Sequence, residues 1–201
     1  MAIPGNLLTT AMAVMPHTDV DQALKTALSL DVPFWPQLPL HSYYEDMYVQ
    51  ASEHFPGIQL NLPDRTLSFS FEKFIQEIEQ AAAHFETPEY FDISTTYSAV
   101  YHQFLNLDLA DRPAIRGQIE GPVSLGMNIL DQDKRPIIFD DNVRPFLLEF
   151  QQRPPNKNHN NNKTHPEAPR GCPRLPEAAQ CVYNGKPFVL VQQNLGLSFN
   201  S

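Results

Sequence analysis

Cysteine is almost missing from this 201-residue chain, which carries only Cys172 and Cys181. Two thiols cannot define a disulfide framework, and their spacing makes no metal knuckle. No apolar run reaches membrane-spanning length, so no membrane span is expected. The opening stretch MAIPGNLLTT has neither a basic n-region nor a cleavable apolar segment, and a cytoplasmic location is the expectation. Positive charge is scarce as well: 14 Lys+Arg stand against 23 Asp+Glu, a net charge of -9. Phosphate backbones are recognised by basic surfaces that displace counterions, which argues against a nucleic-acid partner. There is no Gly-rich phosphate loop, no Ser-His-Asp order and no CxxC, so nucleotide binding and serine hydrolysis have no support.

What is present is enough apolar surface for a core. Hydrophobic residues make up 42%, with 13 Phe, 7 Tyr and 1 Trp, and the length suits one ordinary domain or a piece of a larger one. The charge is unevenly placed. Residues 1–150 carry 8 Lys+Arg and 21 Asp+Glu, whereas 151–201 carry 6 and 2. The same boundary separates amphipathic segments from a Pro- and Asn-rich stretch without hydrophobic period, which cannot bury enough surface to offset chain ordering. We therefore divide the chain into a globular part over 1–150, a disordered or frameshifted segment over 151–186, and an isolated strand in 187–201. His159, His165 and Cys172 lie at irregular, Pro-interrupted spacing, which does not suit the fixed geometry of a metal site.

Within 1–150, strand and helix signals alternate. The run from Leu7 to Met15 reads as a buried strand, and Thr18 or Asp19 can cap a helix over Val20–Leu30. Val32–Pro39 is apolar but carries three prolines, which restrict it to a short extended path. A brief helix is expected over Ser42–Ser52, a loop over His54–Pro63, and a strand from Leu67. Phe71, Phe74, Ile75, Ile78, Ala82 and Phe85 then recur on one helical face. A further helix is expected near Thr96–Leu107, a strand over Ala114–Pro122, and a helix from Val123. Asp141 is a candidate cap for a helix over Val143–Phe150, and Pro187–Gln192 is a late strand signal. Recurring strand–helix units imply an α/β protein with parallel strands.

The order MPHTD (15–19), PFWPQLP (33–39), YEDMYVQ (44–50) and RGQIEGPVSLG (116–126) resembles the barrel superfamily of cobalamin-independent methionine synthase and uroporphyrinogen decarboxylase. The likeness runs through residues 7–150 in sequence order and implies the N-terminal half of a (β/α)8 barrel, with about four strand–helix units. In such a fold the site lies at the carboxyl ends of the strands. That places His17, Gln37 and Glu120 around one mouth, with Trp35 as a lining residue.

Each has a bland alternative: a loop histidine bonded to local backbone, polar rim residues at strand ends, and an aromatic filling the core. The pair Asp140-Asp141 could bind a cation, but capping already accounts for one of them. The Tyr43-Tyr44 and Phe71–Phe85 stripes read as packing.

Departures from the family's pattern limit what the resemblance implies. Ala13-Val14 stand where family methyltransferases have a Gly-Ser pair, and Gln37 stands near a Glu that contacts the substrate ammonium. The late run FVLVQQNLGLSF (188–199) matches an F-V-x-V-D-E-P-G-L pattern with the acidic pair replaced by Gln192 and Gln193. The family's zinc ligands come from the second half of the barrel, and Cys172 and Cys181 do not match them. The resemblance thus implies a methyltransferase of methionine biosynthesis, using zinc and a thiol acceptor, while this chain is expected to be truncated, without zinc or other cofactor, and without turnover. The alternatives are a non-catalytic module for a small-molecule ligand, and a decarboxylase-like enzyme, for which only Arg116 lies near a motif. Half a parallel barrel also leaves apolar edges through which copies could associate.

Overall fold

The computed structural model describes residues 7–109, 111–151, 180–183 and 186–193. The protein is a mixed α/β structure with six α-helices among these residues, and none of them is long and apolar enough to cross a membrane.

The chain begins with an extended segment at 13–15. Its Val14 forms a parallel bridge with Gln37, through Met15 N–H to the Gln37 carbonyl at 3.0 Å and Gln37 N–H to the Ala13 carbonyl at 2.8 Å. The strand expected over Leu7–Met15 is reduced to this bridge. Upstream, Thr9 bonds instead to Asp31, its amide at 2.8 Å and its hydroxyl at 2.7 Å from the same carboxylate oxygen. Helix α1 (Val20–Leu28) follows, capped by Asp19, whose carboxylate accepts the Gln22 amide at 2.8 Å. Asp21 in its first turn and Lys25 in its last complement the helix dipole, and Ala23, Leu24 and Ala27 face the core.

Pro33, Pro36 and Pro39 supply no amide hydrogens, so the 33–39 segment joins its neighbours by single bridges rather than full ladders. Phe34 bridges in parallel to Arg116, with Trp35 N–H 3.2 Å from the Arg116 carbonyl. The expected 42–52 helix is a single 3-10 turn over Tyr43–Glu45 followed by α2 (Met47–Ala51), capped by Asp46.

Residues 54–63, expected as loop, instead contribute strand β1 (Ile58–Asn61), which pairs antiparallel with β2 (Thr66–Phe69). Asn61 and Asp64 hold the turn, Asn61 accepting the Asp64 amide at 3.2 Å and donating to its carboxylate at 2.9 Å. Helix α3 (Phe71–Ala83) is capped by Ser70, and α4 (Ala99–Leu105) by Ser98. Strand β3 (Ile115–Glu120) runs directly into α5 (Pro122–Asn128). The cap of α6 (Val143–Gln151) is Asp140 rather than Asp141: Asp140 accepts the Asn142 and Val143 amides at 2.8 and 3.2 Å. Asp141 pairs with Arg144 at 2.5 Å instead.

The segment expected to be disordered lies outside the described residues over 152–179 and 184–185. Gln151 ends α6, and Gln180–Tyr183 forms β4. The late strand is β5 (Lys186–Gln193), which is not isolated: it is parallel to β3 and antiparallel to β4, giving the order β3-β5-β4.

Two apolar clusters fill the interior. One joins Ala13, Met15 and the buried face of α1 to Phe34, Trp35, Leu38, Val100, Phe104 and Ile115. The other is centred on Phe55, Phe69 and Phe74 and extends through Leu125, Ile129, Ile137 and Val143 to Leu147 and Phe150.

Candidate functional site

An open cleft of about 100 Å³ lies where these clusters meet, with Trp35 from the first and Phe150 from the second in its walls. Met47, Ala51, Phe91 and Ile93 add apolar surface, while Gln37, Gln50, Gln118 and Glu120 supply polar groups. Of the residues singled out from the sequence, the structure brings together Trp35, Gln37 and Glu120. His17 is not among the cleft's lining residues. It is half-buried in the loop before α1, and its Nδ1 has no partner among the described residues.

Gln37 sits where the 33–37 segment ends, and Glu120 is the last residue of β3, so both project from carboxyl ends of parallel segments. Period-two geometry carries Arg116, Gln118 and Glu120 to one face of β3. These positions are all buried, Gln118 to 1% exposure and Glu120 to 3%.

Buried polar groups need partners, and the glutamines find one another. Gln118 accepts the Ala13 amide at 3.3 Å and donates to Gln37 at 3.5 Å. Gln37 donates to Gln50 at 2.9 Å, and Gln50 donates to Glu45 and to the Tyr97 carbonyl, each at 3.1 Å. Glu45 closes the chain by accepting the Ser98 hydroxyl at 2.8 Å and the Val100 amide at 3.2 Å, so it also caps α4 from inside. Burial pushes the Glu45 carboxyl up from its ordinary value, while those two hydrogen bonds pull it back. Arg116 is turned away from the cleft: its guanidinium donates to the Ala11 carbonyl and stands 3.5 Å from the Gln118 oxygen.

Glu120 differs from every other member. Neither of its carboxylate oxygens has a hydrogen-bond partner among the described residues, and the Trp35 indole N–H is likewise unpartnered. Burial raises the Glu120 carboxyl above its ordinary range. Ser124 and the Gly121 amide oppose this without reaching hydrogen-bond geometry, and the Asp46 charge reinforces it. Ser124 is committed instead to the Tyr48 hydroxyl, 3.3 Å away. An unpartnered buried carboxyl and an unpartnered buried indole N–H, both lining one cleft, can be satisfied together by a ligand that brings a donor to one and an acceptor to the other. The described lining residues also include Glu53 and Asp92 but no lysine or arginine, so the cleft favours cations.

A carboxyl raised in the folded state stabilises the fold below its unfolded value near 4.5 and loses that contribution as pH rises through the folded value. Glu120→Gln removes the titration. The variant is therefore expected to gain stability over the parent as pH rises from 4.5 to 8. Urea midpoints of both proteins at pH 4.5, 6 and 8 check this, and a pH-independent difference would refute it.

Gln118, Gln50, Glu45 and Ser124 were not singled out from the sequence. The signal for Gln118 was present, because Arg116, Gln118 and Glu120 alternate through an otherwise apolar strand. Glu45 and Gln50 lie in the YEDMYVQ run, but nothing local marks their roles, because beyond each other and Gln37 they bond to Tyr97, Ser98 and Val100.

Comparison with protein families, with curated proteins and with solved structures finds no match for this chain.

Proposed function

We propose that the protein is a small-molecule binding domain built on the plan of the first half of a methionine synthase-like or uroporphyrinogen decarboxylase-like barrel. The ligand lies in the cleft at the carboxyl ends of its parallel segments. The single observation that carries this reading is the buried Glu120 carboxyl, unpartnered and lining a cleft beside the unpartnered indole of Trp35. Desolvating an unpaired carboxyl costs stability, and groups kept at that cost concentrate at functional sites. The barrel plan is supported by four parallel segments that neighbour one another in chain order: 13–15, 33–37, β3 and β5.

We read the chain as a binder rather than a thiol methyltransferase. The family's zinc does not fit the described residues, among which no three His, Cys, Asp or Glu side chains are grouped to hold a metal. In the family the zinc activates a thiolate. Here the polar groups at the carboxyl ends are amides and a carboxyl, which orient a ligand by hydrogen bonds.

The test uses the fact that Trp35 is the chain's 1 tryptophan. A nitrogen–proton correlation spectrum therefore contains one indole signal, and it reports on the cleft. Among a panel of small organic cations, neutral compounds and anions, cations are expected to move that signal in a saturable manner. If no compound of any charge moves it, the binding reading fails. Metal analysis forms the second arm: one equivalent of tightly bound zinc would restore the methyltransferase reading.

A further inference from the structure

Resting on that reading, the geometry points to a ligand of one chemical class: a small molecule bearing a planar two-pronged N–H donor, a guanidinium or amidinium, on an aromatic or apolar stem. Both oxygens of Glu120 lack partners among the described residues, and the residue is 3% exposed. A carboxylate with two free oxygens is matched by a fork that donates two parallel hydrogen bonds. A primary ammonium is a point charge and leaves the pairing to orientation. Guanidinium and amidinium groups are also more weakly hydrated than ammonium and lie well against aromatic faces. Trp35, Phe91 and Phe150 supply such faces in the lining.

The neighbouring polar groups exclude the opposite charge. Gln50 spends both amide hydrogens on Glu45 and the Tyr97 carbonyl, Gln37 gives one to Gln50, and Arg116, whose guanidinium donates to the Ala11 carbonyl, does not line the cleft. No lysine or arginine is among the described lining residues to hold an anionic ligand, whereas neither Glu120 oxygen has a partner among the described residues.

Three compounds sharing one phenyl ring separate the possibilities: benzamidine, benzylamine and benzamide. Each is titrated at pH 8 against the full chain and followed by the Trp35 indole signal. Benzamidine is expected to bind at least about tenfold more tightly than either of the others, because it alone offers two parallel charge-assisted hydrogen bonds, whereas the benzylamine ammonium is a point charge and the benzamide donors are neutral. Glu120→Gln, folded as judged by circular dichroism, is expected to lose that preference.

If benzylamine or benzamide binds as well as benzamidine, or if the variant keeps the preference, the ligand class is overturned while the cleft remains a binding site. If none of the three binds, the class is overturned, and the wider compound panel alone then decides the binding reading. The selectivity series on the parent protein stands whether or not the variant folds.

Discussion

Replacing Phe74 by alanine is expected to lower the unfolding free energy by about 3–5 kcal/mol, the range for deleting a buried phenyl ring. Phe74 is 1% exposed and is the hub of the second cluster. Its ring centroid lies 5.6 Å from Phe69, 5.7 Å from Phe146, 6.1 Å from Phe71 and 6.3 Å from Phe55. These neighbours come from β2, from the start of α3, from α6 and from the loop before β1. Rings held by four separate backbone elements cannot all move inward, so a cavity remains and the cost sits toward the upper end. Phe74→Leu retains most of the volume and should cost only about 1–1.5 kcal/mol. Urea unfolding followed by both far-ultraviolet circular dichroism and Trp35 fluorescence measures both variants. Because Trp35 belongs to the other cluster, coincident midpoints would establish that the two clusters unfold as one unit. A loss below about 1 kcal/mol for the alanine variant would contradict the packing described.

Gly57→Ala is expected to cost about 2–5 kcal/mol, from two causes acting together. Gly57 has φ +84°, in the left-handed region where a Cβ collides with the following carbonyl, a penalty of roughly 1–2 kcal/mol. The added Cβ would also stand 2.6 Å from the Phe69 ring edge, 2.8 Å from the Ser70 carbonyl oxygen and 2.9 Å from Phe74 Cβ. The ring can swing away, but the carbonyl and the Cβ belong to the capped start of α3 and cannot. Gly57 is fixed there on both sides. Its carbonyl accepts the Ser70 amide at 2.9 Å, and its own amide donates to Glu77 at 2.9 Å. Overpacking of this kind adds about 1–3 kcal/mol. Thermal and urea unfolding check the sum. A change of only a few tenths would mean that the backbone escapes to negative φ without losing the Ser70 bond.

The Glu120→Gln prediction joins stability to function. At pH 8 the variant is expected to be more stable than the parent, yet to lose its preference for a forked cation. A group that weakens the fold and strengthens binding is the usual signature of a site retained for its ligand.

Several features were legible from residue order alone. Helix α1 with its Asp19 cap, the phenylalanine face of α3, the short helix after Ser98, the strand ending at Glu120 and the strand from residue 187 are all carried by hydrophobic period and capping chemistry within a dozen residues. Such signals are local, and a local hydrogen bond such as Asp19 to Gln22 is decided by neighbours in sequence. Strand β1 and its turn escaped, although β2 was expected from Leu67, because the turn depends on the Asn61–Asp64 pairing rather than on a glycine, and the α6 cap shifted to Asp140 because Arg144 occupies Asp141.

The sequence by itself therefore determined most of the helices, the capped start of α1, the alternation of strand and helix, and the carboxyl-end positions of Gln37 and Glu120. Only the tertiary structure decided what those residues meet. It tied Ala13 to Gln118 across 105 residues and Ser98 to Glu45 across 53, left His17 outside the cleft, and left the Glu120 carboxyl without a partner among the described residues. The physical reason is distance along the chain. Capping and periodicity act within one or two turns, whereas the satisfaction of a buried polar group depends on which remote segments the packed core brings beside it.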